Sequence, residues 1–168
     1  NRPNKQSPAL RGKTIANLFF EPSTRTRSAF EMAAKMLGAS VMNLQMTASS
    51  IHKGETTLDT VKNLHALGVD AIVVRHAVAG VSKMIADHLP IPVCNAGDGY
   101  NEHPTQGLLD IFTMLEHCSS LKDKHVTIVG DIKHSRVARS NIYGLNMLGA
   151  KLTVCGPPSL IPLGIETL

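Results

Sequence analysis

Apolar residues in this chain fall in short blocks whose spacing alternates between that of a buried strand and that of a helix. Thr14 to Phe20 is a largely apolar run of the kind that forms a strand covered on both faces. From Thr24 to Leu37 the residues Phe30, Ala33, Ala34 and Leu37 recur at helical spacing, and Gly38 follows as a natural C-cap. A short strand is predicted at Val41 to Met46, then a polar stretch from Thr47 to Glu55. The next helix runs from Thr57 to Leu67, with Leu58, Val61, Leu64 and Leu67 on one face and Gly68 closing it. Ala71 to Val74 reads as a strand, Val81 to Leu89 as a short helix and Pro92 to Asn95 as a short strand. Pro104 to Cys118 then forms a helix with proline in its first turn. Leu108, Leu109, Ile111, Phe112 and Leu115 give it a broad apolar face.

After Ser119-Ser120 the pattern restarts with a strand at His125 to Val129, a helix around Ser135 to Leu148 and a strand at Lys151 to Cys155. Strands alternating with helices through short loops predict an α/β fold, a parallel sheet with helices on both faces. Residues 1–118 are expected to form one domain. Residues 119–168 carry two strands and one helix, too few to close a core, and read as the incomplete start of a second, Rossmann-like α/β domain. The chain is thus expected to be a fragment whose unfinished second part makes it prone to aggregate. There is no internal repeat and no low-complexity segment.

Composition narrows the function classes. No apolar run approaches the roughly 18 to 20 residues that a bilayer crossing needs, and Asn1 to Gly12 has no apolar segment of a signal peptide. Cys94, Cys118 and Cys155 are odd in number and far apart, which suggests neither a disulfide framework nor a zinc knuckle and fits a reducing cytoplasm. The net charge of +4 is spread out, aromatic residues make up 4%, and no basic run appears, so a small anionic substrate explains the excess better than nucleic acid. The eight histidines include no HxH or HxxxH pair, and no metal or other cofactor is expected. No GxGxxG follows Val129, which argues against a dinucleotide. Gly12-Lys13-Thr14 lacks the upstream glycine of a nucleotide-phosphate loop and precedes a strand.

In open parallel sheets, ligands bind beyond the carboxyl ends of the strands. The loops after the strands ending at Phe20, Val74 and Asn95 deliver Arg25, Arg75 and His103 to that edge. The first loop, Glu21-Pro22-Ser23-Thr24-Arg25-Thr26-Arg27, opens a helix, and the free amides of a helix N-terminus attract anions. Ser23, Thr24 and Thr26 add hydroxyl donors, and Arg25 adds a guanidinium that grips phosphate oxygens in pairs. Arg27 turns away from Arg25 and is expected to pair with a helix or sheet carboxylate.

Phe19-Phe20-Glu21-Pro22-Ser23-Thr24-Arg25-Thr26-Arg27-Ser28-Ala29-Phe30-Glu31 closely resembles the carbamoyl-phosphate signature of the aspartate and ornithine carbamoyltransferases. His103-Pro104-Thr105-Gln106 resembles the family's second signature, and Val74-Arg75-His76 its third contact with phosphate and carbonyl. The likeness runs from about Leu10 to the end of the chain. It implies that Ser23, Thr24, Arg25 and Thr26 hold phosphate, that Thr26, Arg75 and His103 aim at the carbonyl oxygen, and that Gln106 binds the carbamoyl nitrogen. Arg25, Thr26, Arg75 and His103 are then the catalytic set.

The acceptor is read elsewhere. Ser49-Ser50-Ile51-His52-Lys53-Gly54-Glu55-Thr56 resembles the mobile loop of the aspartate-specific members, in which a serine and a lysine, here Ser49 and Lys53, reach a neighbouring subunit's site. Thr105 also matches those members, since ornithine-specific ones carry cysteine there. Gly130 to Ser140 resembles the aspartate-binding segment, with Arg136 expected on the α-carboxylate. The resemblance implies carbamoyl transfer from carbamoyl phosphate to the α-amino group of L-aspartate, as in pyrimidine biosynthesis, by a homotrimer with shared sites. A regulatory chain or a dihydroorotase is a conceivable further partner. The family's β-carboxylate ligands lie beyond Leu168, so this chain alone is expected to be inactive. The rival readings are an ornithine or other amine carbamoyltransferase, and a non-catalytic scaffold.

Overall fold

A computed structural model of the chain describes residues 6–45 and 56–167. Among these, strands β1 (Thr14–Phe19), β2 (Ser40–Gln45), β3 (Ala71–His76), β4 (Val93–Asp98), β5 (His125–Val129) and β6 (Lys151–Cys155) alternate with helices. The helices are α1 (Thr24–Met36), α2 (Thr57–Ala66), α3 (Val81–His88), α4 (Pro104–His117) and α5 (Arg136–Met147). The elements appear where hydrophobic period placed them. β4 differs, running three residues further than its apolar block, because Asp98 keeps extended pairing through its amide bond to the Glu102 carbonyl at 3.1 Å.

Two compact units form, Asn1–Ala96 and Gly97–Leu168. They part within β4, whereas the break in the sequence pattern lies at Ser119-Ser120. Packing groups α4 with α5, and so with the residues that follow it.

In the first unit the sheet has the order β2-β1-β3-β4, with β1 parallel to both β2 and β3. Alternate residues of a strand point to opposite faces. Ala16, Leu18, Ile72 and Val74 therefore share one face, where they pack with Val61 and Leu64 of α2 and Val81 and Ile85 of α3. Ile15, Phe19 and Val73 share the other, against Ala34 of α1 and Ala39. Helices thus cover both faces. The fully buried Asn17 is the exception in β1, and its amide nitrogen donates to Asn43 Oδ1 at 2.9 Å, the residue opposite it in β2. Asn43 in turn donates to Glu31 Oε2 of α1 at 2.8 Å, so one polar chain fixes strand register and helix position together.

The second unit pairs β5 and β6 in parallel, from His125 opposite Lys151 to Val129 opposite Cys155. Ile111, Leu121 and Leu145 form its small core, with Met114, Cys118, Val126 and Leu152 against it. The broad apolar face expected of α4 is not the face it buries. Leu108, Leu109, Phe112 and Leu115 are exposed, and the covered stripe is the buried Gly107 and Ile111 with the half-buried Met114 and, just past the helix, Cys118. Gly107 sits so close to Ser140 of α5 that a Cβ there would lie 3.1 Å from the serine Cβ and 3.2 Å from its backbone carbonyl. Close helix approach through glycine, which carries no hydrophobic signal, decides which face is covered. Among the described residues no helix is long and apolar enough to cross a membrane.

Candidate functional site

The turn between β1 and α1 holds the residues singled out as an anion site. Ser23 is the N-cap of α1 with φ −158° and ψ 86°, yet its side chain caps no amide, and no acidic residue occupies the first turn. Thr24 and Arg25 are exposed, while Ser23, Thr26 and Arg27 are half-buried. The first-turn amides of a helix have no intrahelical partner and sit at the positive end of its dipole. The first turn carries three hydroxyl side chains, Ser23, Thr24 and Thr26, and the Arg25 guanidinium. Arg27, expected to pair with a carboxylate, is half-buried one turn before Glu31. The Glu31 carboxyl is held below the usual carboxylate range by hydrogen bonds from Lys35 and Asn43 and, further down, by the charge of Arg27.

Arg75 lies beside this turn because β1 and β3 pair in a register that sets Phe19 opposite Arg75. Its side chain is only 13% exposed, with Nε donating to Glu21 Oε2 at 3.2 Å and Nη1 to the Ala96 carbonyl at 3.2 Å. The Phe20 amide donates to the Arg75 carbonyl at 2.9 Å, which ties the turn to the end of β3. Glu21, which the sequence pattern left without a role, is thus a partner of Arg75. Its signal was an acidic residue between an apolar strand and a proline. His76, next in the strand, packs against Phe20 with ring centroids 4.6 Å apart. Its Nδ1 accepts the Val78 amide at 2.9 Å.

The second unit holds the other predicted residues. His103 is the N-cap of α4 and 7% exposed. Its amide donates to Ser140 Oγ at 2.8 Å, and its ring Nδ1 lies 3.4 Å from Thr105 Oγ1. Gln106, one turn on, donates from Nε2 to Asp110 Oδ1 at 2.9 Å, and Asn141 of α5 donates to Asp110 Oδ2 at 2.8 Å. Neither Asp110 nor Asn141 was singled out from sequence, although the Gln106 to Asp110 spacing of one helical turn was available. The loop after β4 is closed by the buried Asp98, whose carboxylate accepts the Glu102 amide at 3.1 Å and the Asn101 side chain at 3.0 Å. Arg136, the first residue of α5, donates from Nη1 to the Gly99 carbonyl at 3.2 Å, and its guanidinium lies against Gly97.

The predicted residues therefore form two groups. Ser23, Thr24, Arg25, Thr26 and Arg75 lie in the first unit, and His103, Gln106 and Arg136 in the second. Ser49 and Lys53 lie outside the described residues. Among the described residues no cluster of three or more His, Cys, Asp or Glu side chains is arranged to hold a metal ion.

Residues 1–116 match the family model for the aspartate/ornithine carbamoyltransferase carbamoyl-P binding domain. The chain is 56% identical to the aspartate carbamoyltransferase catalytic subunit of Dehalococcoides mccartyi, over 99% of this chain and 50% of that protein. It is 59% identical to the corresponding subunit of Opitutus terrae, over 96% of this chain and 53% of that one. Among solved structures, it superposes on the catalytic subunit of M. jannaschii aspartate transcarbamoylase with a TM-score of 0.86 at 36% identity, covering 96% of this chain and 53% of that one. Trypanosoma cruzi aspartate transcarbamoylase in complex with carbamoyl phosphate superposes with a TM-score of 0.84 at 34% identity, covering 94% and 50%. The chain spans about half the length of the curated relatives it matches.

Proposed function

The chain belongs to the aspartate/ornithine carbamoyltransferase family, and from that premise we propose that its protein transfers the carbamoyl group of carbamoyl phosphate to the α-amino group of L-aspartate. The observation that carries this reading is the uncapped start of α1, with Ser23, Thr24, Arg25 and Thr26 around it and Arg75 beside it. A phosphate dianion suits such a cradle, since charge-assisted bonds contribute about 1.5–3 kcal/mol each. Thr105 and the names of the relatives favour aspartate over ornithine as acceptor.

In the proposed reaction the aspartate amine attacks the carbonyl carbon, a C–N bond forms, the C–O bond to phosphate breaks, and the proton lost by the amine leaves with the phosphate. Negative charge gathers on the carbonyl oxygen, where Thr26, Arg75 and His103 serve as donors. Gln106 accepts from the carbamoyl NH2 group, and Arg136 holds the α-carboxylate of aspartate. No covalent intermediate is needed, because holding both reactants in register supplies much of the acceleration. We place the carbamoyl-phosphate domain at residues 1–118, in keeping with the end of the family model at residue 116, and the start of the aspartate domain at 119–168. Ser49 and Lys53 are assigned to a neighbouring subunit's site in a cytoplasmic homotrimer. A regulatory chain or dihydroorotase would be a further partner of that assembly.

Calorimetric titration with carbamoyl phosphate tests the central assignment. Arg25→Ala is expected to weaken binding at least about tenfold, the loss of one charge-assisted contact, while the melting temperature stays within a degree or so because Arg25 is exposed. Unchanged affinity in that variant would remove the α1 turn from the site.

A further inference from the structure

We propose that Asp110 is a positioning residue that sets the orientation of the Gln106 side-chain amide, and through it selects a substrate whose acyl group ends in NH2. The inference rests on the carbamoyl-phosphate reading above. A carboxylate can only accept hydrogen bonds, so the 2.9 Å contact from Gln106 Nε2 to Asp110 Oδ1 turns the NH2 of Gln106 toward Asp110. Its Oε1 then faces the other way, and a carbonyl oxygen is the partner for an N–H donor. An amide free to rotate would offer NH2 half the time and meet a carbamoyl NH2 donor to donor.

A glutamine and an aspartate one turn apart also make an ordinary surface pair on many helices. Two features distinguish this one. The second carboxylate oxygen is taken by Asn141 of α5 at 2.8 Å, so Asp110 is held from both sides and cannot swing away from Gln106. Asn141 makes that bond although its own Oδ1 is left buried without a partner among the described residues. A solvated surface pair does not adopt so costly an arrangement. The position of Asn141 is itself fixed, because the preceding residue, Ser140, is packed against Gly107 and accepts the His103 amide. The clamp therefore ties Gln106 to the same helix crossing that seats His103.

Acetyl phosphate shares the phosphate and carbonyl of carbamoyl phosphate but has a methyl group in place of NH2. The test compares the affinities of the two compounds, and of inorganic phosphate, for the unaltered protein and for Asp110→Asn and Asn141→Ala. Asp110→Asn presents an amide that can donate as well as accept, so the preference for carbamoyl over acetyl phosphate is expected to fall about tenfold, with inorganic phosphate unchanged. Asn141→Ala is expected to lower the preference by a smaller factor in the same direction. A preference that survives in Asp110→Asn overturns the positioning role and leaves the function reading standing. Equal loss of all three ligands assigns Asp110 a purely structural role and overturns it likewise. If the unaltered protein shows no preference, both the inference and the carbamoyl-phosphate reading fall.

Discussion

Two strand-to-helix turns in this molecule, one after β1 and one after β5, have similar local sequences and opposite hydrogen-bond economies. Each ends in a serine at the helix N-cap followed by arginine within two residues. In the turn after β5 the donors are used internally. Gly130 donates to the Cys155 carbonyl at 2.8 Å, Lys133 to the Leu160 carbonyl at 2.8 Å, and His134 to Asp131 Oδ1 at 3.0 Å. Ser135 Oγ caps the Ala138 amide at 3.1 Å. In the turn after β1, Ser23 caps nothing, and the tie that is made runs backward, from Phe20 to Arg75. On the proposed reading, the first-turn amides and hydroxyls there serve the phosphate of the substrate. A helix start is an anion site only where its own chain has not already satisfied it.

The largest effect expected from this contrast lies at Gly156. A Cβ at that position would fall on the Gly130 carbonyl oxygen, backbone against side chain with nothing flexible to yield. Gly156→Ala should therefore cost at least about 1–3 kcal/mol of stability in urea denaturation, the range for forced overpacking. An unshifted midpoint would show that the turn after β5 is not the packed structure described. Next in size is the pair of serines. Ser135→Ala should destabilise by about 1 kcal/mol, the usual loss of an N-cap, whereas Ser23→Ala should stay within about 0.5 kcal/mol and instead weaken carbamoyl-phosphate binding. Equal stability losses would erase the distinction between the turns.

The smallest effect concerns pH. The Asp131 carboxyl is held below the usual carboxylate range, first by the backbone amide of His134 and then by its ring. A carboxyl depressed on folding stabilises the protein above its unfolded value of about 4, and that contribution is lost as pH falls through the lower folded value. Denaturation midpoints of the unaltered protein and Asp131→Asn should thus differ slightly at neutral pH and converge in acid below about pH 4. Asp131 is solvent-exposed, which keeps the difference small. A gap that persists undiminished into strong acid would assign it to something other than this titration.

Much of the first unit was legible in one dimension. The apolar run of β1, the helical spacing of α1 and the Ser-Thr-Arg cluster between them each depend on neighbours in sequence, and each lies where it was expected. What failed was the face of α4. Leu108, Leu109, Phe112 and Leu115 carry the strongest hydrophobic signal, yet Gly107 and Gly144, which carry none, let α4 and α5 approach along another stripe. The Glu21 to Arg75 pair was equally hidden, since 54 residues separate its members until β1 and β3 align.

By itself the sequence determined the order of strands and helices, the position of each βα turn, and the presence of phosphate-suited side chains at the first of them. These follow from hydrophobic period and turn chemistry, which act over a few residues. Only the tertiary structure decided which of two similar turns keeps its donors, which carboxylate faces Arg75, and which way Gln106 is turned. Such choices depend on strand register and helix crossing, which bring together groups that no local pattern relates.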